Sequence, residues 1–250
     1  MRPKSESEIE AMRTGGKMLA RVLDKISKAV EPGINTKELA DVAAAEIKAL
    51  GGRPSFLGHE NFPDVMCVSL NNEIVHGLPK KGKIIREGDV VGLDFGVIYK
   101  GLITDSAVTF FAGDNPPADI KRLLEGTKRA LDAGIDAVRG EGTKIGDISA
   151  AVQEVLDAHK LGIIRDLVGH GVGDSVHEPP NIPNYGVAGV GTTLSAGMTI
   201  CIEPMASLGD WQLQTAKDGF TVEIKDGSIG AHFEHTVLVT ERGSEILTSL

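Results

Sequence analysis

Five side chains in this sequence belong to types that hold metal ions, and each stands where it is awkward without one. Asp94 and Asp105 lie in LDFGVIYKGLITDSAV, two apolar strands predicted on either side of Lys100-Gly101. A two-residue hairpin there sets Asp94 opposite Ala107 and Asp105 opposite Gly96. The aspartates then share one face as diagonal neighbours and repel each other. Glu203 in MTICIEPM and Glu234 in AHFEHTVLV are lone carboxylates in apolar strands, costly there unless paired or metal-bound. His170 falls in GHGVGDSVHEPP, residues 169–180. That stretch is too rich in glycine and proline for a helix and too irregular for an ordinary strand, yet it holds a second histidine, His177. Simpler alternatives are exposed aspartates on a solvated face and glutamates salt-bridged to a neighbour, although neither glutamate run contains a Lys or Arg. Taken together, four carboxylates and one imidazole are an oxygen-rich donor set. It suits Mn²⁺, Fe²⁺, Co²⁺ or Zn²⁺ in a two-metal site better than a structural zinc site.

Positioning such a set takes strands, and helices to cover them. Helical periodicity runs over 7–30 and 36–50, broken at Glu31-Pro32-Gly33, and again over 118–139 and 145–160, broken at Gly140-Glu141-Gly142. Ser5 and Glu8 have capping-box spacing at the first start. LDKISKAVEPGINTKELADVAAA and LDAGIDAVRGEGTKIGDISAAV share the order helix, Gly-containing turn, Thr, helix, at an offset of roughly 107 residues. This predicts an internal duplication, each half being two helices followed by strands; chance likeness of two helix pairs is the plainer alternative. The strands expected are VMCVSLNNEIVHG, DVVGLDFGVIY and GLITDSAVTFFAG, then IIRDLVGHGVG, GMTICIEPMASL, FTVEIKDG and AHFEHTVLVTERG. Gly-containing turns between many of them favour hairpins over parallel crossovers. The expected class is α+β, a central antiparallel sheet covered by two pairs of helices. Residues 1–250 are expected to form a single domain of two related halves, about 1–114 and 118–250, joined at Asn115-Pro116-Pro117.

Composition narrows the function. A net charge of −9 disfavours binding along a phosphate backbone, so no specific nucleic-acid role is expected. No apolar run is long enough to cross a bilayer, and MRPKSESEIEAM has no signal core. The two cysteines, Cys67 and Cys201, have no metal-ligand spacing, make a disulfide framework unexpected and point to a reducing, cytoplasmic setting. There is no HExxH, since His177-Glu178 runs into Pro179-Pro180, and no G-x-S-x-G elbow or P-loop. GVAGVG at 186–191 lacks strand–helix context and reads as a loop.

In chain order, Asp94, Asp105, His170, Glu203 and Glu234 resemble the five metal ligands of the methionine aminopeptidases, metallopeptidases of the pita-bread fold. NNEIVHGLP around His76, LDFGVIYKGLITDSA, GHGVGDSVHEPP, ICIEPM and AHFEHT carry the likeness, which covers nearly the whole chain. Only 31 positions separate Glu203 from Glu234, too few for the long insertion of the type II enzymes, so the resemblance is to type I. With the first helix at the start of the sequence, neither a zinc-finger extension nor the large extra domain usual in prolidases is expected.

The resemblance implies removal of the N-terminal (initiator) methionine from nascent proteins and peptides with a small second residue. It implies two divalent ions (Co, Mn, Fe or Zn), with Asp94 chelating one, Asp105 and Glu234 bridging, and His170 and Glu203 completing one site. A metal-bridging water or hydroxide would attack the scissile carbonyl, with Glu203 as proton shuttle and His76 and His177 contacting the substrate and steadying the tetrahedral intermediate. Phe62 and Cys67 match positions lining the methionine pocket. Four others depart from the family pattern: Phe56 where bacterial enzymes often have Cys, His59 where Tyr is usual, Val176 for a customary Phe and Phe220 for a customary Trp. A pita-bread aminopeptidase of broader or proline-directed specificity is the main alternative, and a non-catalytic binding module the remote one. A monomer is expected. The basic run PKKGKIIREG, residues 79–88, reads either as a solvated loop or as a transient ribosome contact through Lys80, Lys81, Lys83 and Arg86.

Overall fold

The computed structural model describes residues 1–250. Its helices are α1 (Glu6–Ala29), α2 (Thr36–Leu50), α3 (Ala118–Asp136) and α4 (Ile145–Ala158). Its strands are β1 (Arg53–Pro54), β2 (Cys67–Leu70), β3 (Glu73–Val75), β4 (Val90–Tyr99), β5 (Leu102–Phe111), β6 (Gly162–Ile163), β7 (Gly169–Gly171), β8 (Glu178–Ile182), β9 (Thr199–Ile202), β10 (Met205–Ser207), β11 (Leu213–Thr215), β12 (Val222–Ile224), β13 (Gly230–His232), β14 (Glu234–Val239) and β15 (Ser244–Ile246). The four helices lie where periodicity puts them. The start of α1 is held by the Glu8 carboxylate, which accepts from the Ser5 backbone N–H at 2.7 Å. The end of α3 comes at Asp136, three residues short of the predicted 139.

Every ladder is antiparallel. The main sheet runs β1-β4-β5-β14-β9-β7-β8, with β2 beside β4 and β15 beside β14; β13-β10-β6 and β11-β12-β3 are smaller sheets. Lys100 and Gly101 both take left-handed backbone (φ 50° and 84°), the pair that a tight hairpin between right-twisting strands requires. The hairpin therefore has the expected register, Asp94 opposite Ala107 and Asp105 opposite Gly96.

Alternation does the rest. Val91, Leu93, Phe95 and Val97 of β4 pack under α1 and α2 against Leu19, Val22, Ile26, Leu39 and Ile47, which leaves Asp94 on the opposite face. The second helix pair repeats this arrangement: Leu131, Ile148, Val152 and Leu156 of α3 and α4 cover Ile200, Ile202, Val237 and Val239 of β9 and β14. The turn before the second helix of each pair is tied alike, by the bridges Asn35–Ile84 and Lys144–Thr193.

Four of the predicted strands are broken. VMCVSLNNEIVHG divides at Asn71-Asn72 into β2 of the main sheet and β3 of the β11-β12-β3 sheet. IIRDLVGHGVG divides into β6 and β7, GMTICIEPMASL into β9 and β10, and AHFEHTVLV into β13 and β14, each pair shared between the β13-β10-β6 sheet and the main one. Pro204 has no N–H to continue a ladder, and Phe233 N–H donates to Pro204 O at 3.3 Å, so two of the breaks lie side by side. GHGVGDSVHEPP, for its part, supplies two short strands, β7 and β8, paired at Gly169–Ile182 and Gly171–Glu178.

Gly16, in the middle of α1, lies against the C-terminal segment so closely that a Cβ there would come within 2.1 Å of the Leu247 carbonyl oxygen. Alanine is the better helix former by about 1 kcal/mol, yet backbone cannot yield as a side chain does. Gly16→Ala is expected to destabilise by about 1–3 kcal/mol, the usual range for overpacking. The urea midpoint is the measurement, and an unchanged or higher midpoint contradicts this packing.

Candidate metal centre and substrate cavity

Register across the main sheet gathers the acids. Ala107 lies opposite both Asp94 and Glu234, so the row reads Asp94–Ala107–Glu234. Cys201 lies opposite both Thr236 and His170, so the next row reads Thr236–Cys201–His170. Asp105 is locked between the rows: its N–H donates to Thr236 Oγ1 at 2.8 Å, and that hydroxyl donates back to the Asp105 carbonyl at 2.7 Å. Glu203 stands just past the end of β9, where the chain turns into Pro204. A ligand atom from each of Asp94, Asp105 and Glu234 lies within 4.8 Å of the others. His170, Cys201 and Glu234 form a second such group, but burial pushes the Cys201 thiol well above its usual range, so it is a neutral wall.

The electrostatics of this cluster are unbalanced. Asp105 and Glu234 are buried. Burial, then the charges of Asp105 and Glu203, raise the carboxyls of Asp94 and Glu234 well above the ordinary range. One oxygen of Asp94 is buried without a hydrogen-bond partner. Glu203 differs: burial pushes its carboxyl up, but the imidazoles of His170 (3.2 Å) and His232 (3.4 Å) more than offset this and hold it ionised. No lysine or arginine lines the cavity. Converging acids, an orphaned carboxylate oxygen and one imidazole fit a divalent cation.

The cavity itself has a volume of about 480 Å³. All twelve site residues singled out in the sequence line it, as does Phe56. His76 directly follows β3 in left-handed backbone, φ 57°, a conformation that persists in non-glycine residues only where the surroundings impose it. His177 rides on the loop between β7 and β8, its ring edge-on to His170 with centroids 4.6 Å apart. That loop is closed by Glu178, whose carboxylate accepts from the N–H groups of Asp174 (2.7 Å) and Ser175 (3.0 Å). The buried Lys4 ammonium reaches Asp174 at 3.1 Å and anchors it from behind. On the apolar side Phe220 meets Phe62 edge to face, centroids 5.7 Å apart, beside Cys67 and Val176.

His232 was not singled out in the sequence, although it is buried and its Nε2 lies 3.4 Å from Glu203, without hydrogen-bond geometry. The signal was its parity: it stands two residues before Glu234. The basic run proves weaker than its composition. Lys80 pairs with Asp218 at 2.8 Å and Lys83 with Glu73, leaving Lys81 and Arg86 without an ion pair.

Residues 10–241 match the metallopeptidase family M24. The chain is 44% identical to a methionine aminopeptidase of Aquifex aeolicus over 98% of each chain, and 40% identical to methionine aminopeptidase 1 of Bacillus subtilis, again over 98% of each. A crystal structure of methionine aminopeptidase from Thermotoga maritima superposes with a TM-score of 0.97 at 43% identity, covering all of both chains. The prolidase of Pyrococcus furiosus shares the fold, with a TM-score of 0.80 at 23% identity over 99% of this chain and 65% of that one.

Proposed function

The chain belongs to metallopeptidase family M24, and from that we infer how its cavity works. It is a metal-dependent aminopeptidase that removes N-terminal methionine from proteins and peptides. Asp94, Asp105, His170, Glu203 and Glu234 would hold the two divalent ions. The observation that carries this reading is the convergence of Asp94, Asp105 and Glu234 with no cation to neutralise them. Bound there, the ions would supply Lewis acidity toward the scissile carbonyl and the attacking water. Glu203, kept ionised by its two histidines, accepts the proton of that water and returns it to the leaving amine. His76 and His177 donate to the oxygen that becomes anionic. The first half of the chain supplies two ligands and the second half three, which supports a single catalytic unit over 1–250 made of two related halves. Lys81 and Arg86 alone leave the loop 79–88 a weak electrostatic partner for RNA.

The methionine side chain lies against Phe62, Cys67, Val176 and Phe220, with His59 at the mouth. A flexible thioether fills an irregular apolar wall well. Val176 and Phe220 are each smaller than the family's customary residue, so methionine is expected to remain the best first residue with a narrower margin over leucine. One methylene in such a pocket is worth only about 1–3 kcal/mol. A small second residue is expected to be preferred. The test is kcat/KM for Met-Ala, Leu-Ala and Met-Leu peptides, before and after Phe220→Trp and Val176→Phe. A wild type that prefers another first residue moves the enzyme to broader or proline-directed specificity. Back-substitutions that leave the Met-to-Leu ratio unchanged remove these two residues from the pocket.

A further inference from the structure

At the cavity mouth stands a second donor cluster that the reaction does not use as such. His59, Glu60 and His177 each present a ligand atom within 4.8 Å of the others. They come from two elements: the short turn His59–Asn61 and the loop between β7 and β8. His59 Nε2 and His177 Nδ1 are 3.5 Å apart, long for a hydrogen bond. Two nitrogens bound at zinc distance to one tetrahedral ion lie about 3.3–3.4 Å apart, so the imidazoles already stand close to that edge. The turn is fixed from both ends, with Gly58 N–H donating to Phe62 O at 2.9 Å and Phe62 N–H to His59 O at 2.8 Å. Glu60 has no lysine or arginine in the cavity to pair with.

We infer that His59, Glu60 and His177 form an auxiliary, inhibitory site for Zn²⁺ at the entrance of the cavity. Two imidazoles and one carboxylate make a borderline donor set that favours zinc over magnesium, manganese or calcium. Three protein ligands leave a fourth position to water. The site lies one ring away from the catalytic centre, because His177 packs edge-on to His170. An ion held there narrows the entrance through which the substrate must pass, so the enzyme is inhibited by zinc in excess of its catalytic complement. The inhibitory role rests on the peptidase reading above; the binding site does not.

The test is equilibrium dialysis of the metal-loaded enzyme against Zn²⁺ with elemental analysis, beside inhibition of Met-Ala hydrolysis by the same ion. Wild type is expected to retain one further zinc and to lose activity as that zinc binds. Glu60→Gln and His59→Phe, each compared with its own zinc-free rate, are expected to weaken both effects at least ~10-fold, the lower end for disturbing a zinc site. Equal zinc binding by wild type and both variants overturns the site. Retention of the extra zinc without loss of activity overturns the inhibitory role. A wild type that hydrolyses no Met peptide instead defeats the peptidase reading, and the dialysis still decides the site.

Discussion

Chelation and dialysis are expected to abolish peptide hydrolysis, and Mn²⁺, Co²⁺ or Fe²⁺ to restore it. With metal present, Asp105→Asn and Glu234→Gln are each expected to lower kcat/KM by at least ~10²-fold, the scale seen when a charge-stabilising group is removed. Both side chains are buried, so no other group reaches their place. The same substitutions are expected to move stability the other way once metal is gone. Burial and neighbouring acids raise the Glu234 carboxyl above its usual range. An acid whose folded pKa exceeds its unfolded one costs stability as pH rises above the unfolded value. At neutral pH the metal-free protein carries that cost and Glu234→Gln does not. Its urea midpoint without metal is therefore expected to exceed that of metal-free wild type, while saturating metal reverses the order by mass action. Full turnover after exhaustive chelation sinks the metal reading. A lower metal-free midpoint for Glu234→Gln sinks the electrostatic one.

His177→Ala and His76→Ala are each expected to lower kcat by about 10²–10³-fold, the cost of one oxyanion donor. Bound metal should be unchanged in both. The surrounding walls and His170 hold the His177 imidazole below its ordinary range, and burial does the same for His76. Each is thus a neutral donor at physiological pH, and neither changes charge as the substrate oxygen develops its own. Metal content measured beside kcat separates this role from ligation. Loss of metal in step with loss of activity shows that the histidines act through the metal centre instead.

Legibility in the sequence followed locality. The Asp94–Asp105 relation could be read because a two-residue turn at Lys100-Gly101 leaves one register open, and parity then settles the shared face. The helix pairs were legible for the same reason, each being a periodic run between glycine breaks. The place of β14 between β5 and β9 was not, because pairing across more than a hundred residues leaves no local trace. The strand breaks at Phe233 and at residues 164–168 fall where nothing in the chain forbids continuation, whereas Pro204 and the turn-forming Asn71-Asn72 do mark theirs. His232 carries no local mark beyond standing two residues before Glu234, and its approach to Glu203 depends on how β10 and β13 pair. The set of Asp94, Asp105, His170, Glu203 and Glu234 rested on family resemblance, because only the sheet order brings the two halves together.

That sheet order has a consequence for how the enzyme is made. Synthesis delivers β4 and β5 early, but the neighbour that closes β5 is β14. At 5–20 residues per second, β5 waits roughly 6–25 s for its partner. During that time the nascent chain carries an open strand edge, the kind of template that recruits other strands. The acidic cluster is incomplete as well, since Glu234 is the first residue of the missing strand. An enzyme that trims the N-termini of other chains therefore passes its own emergence without a complete site, with a strand edge uncovered until residues 234–239 arrive.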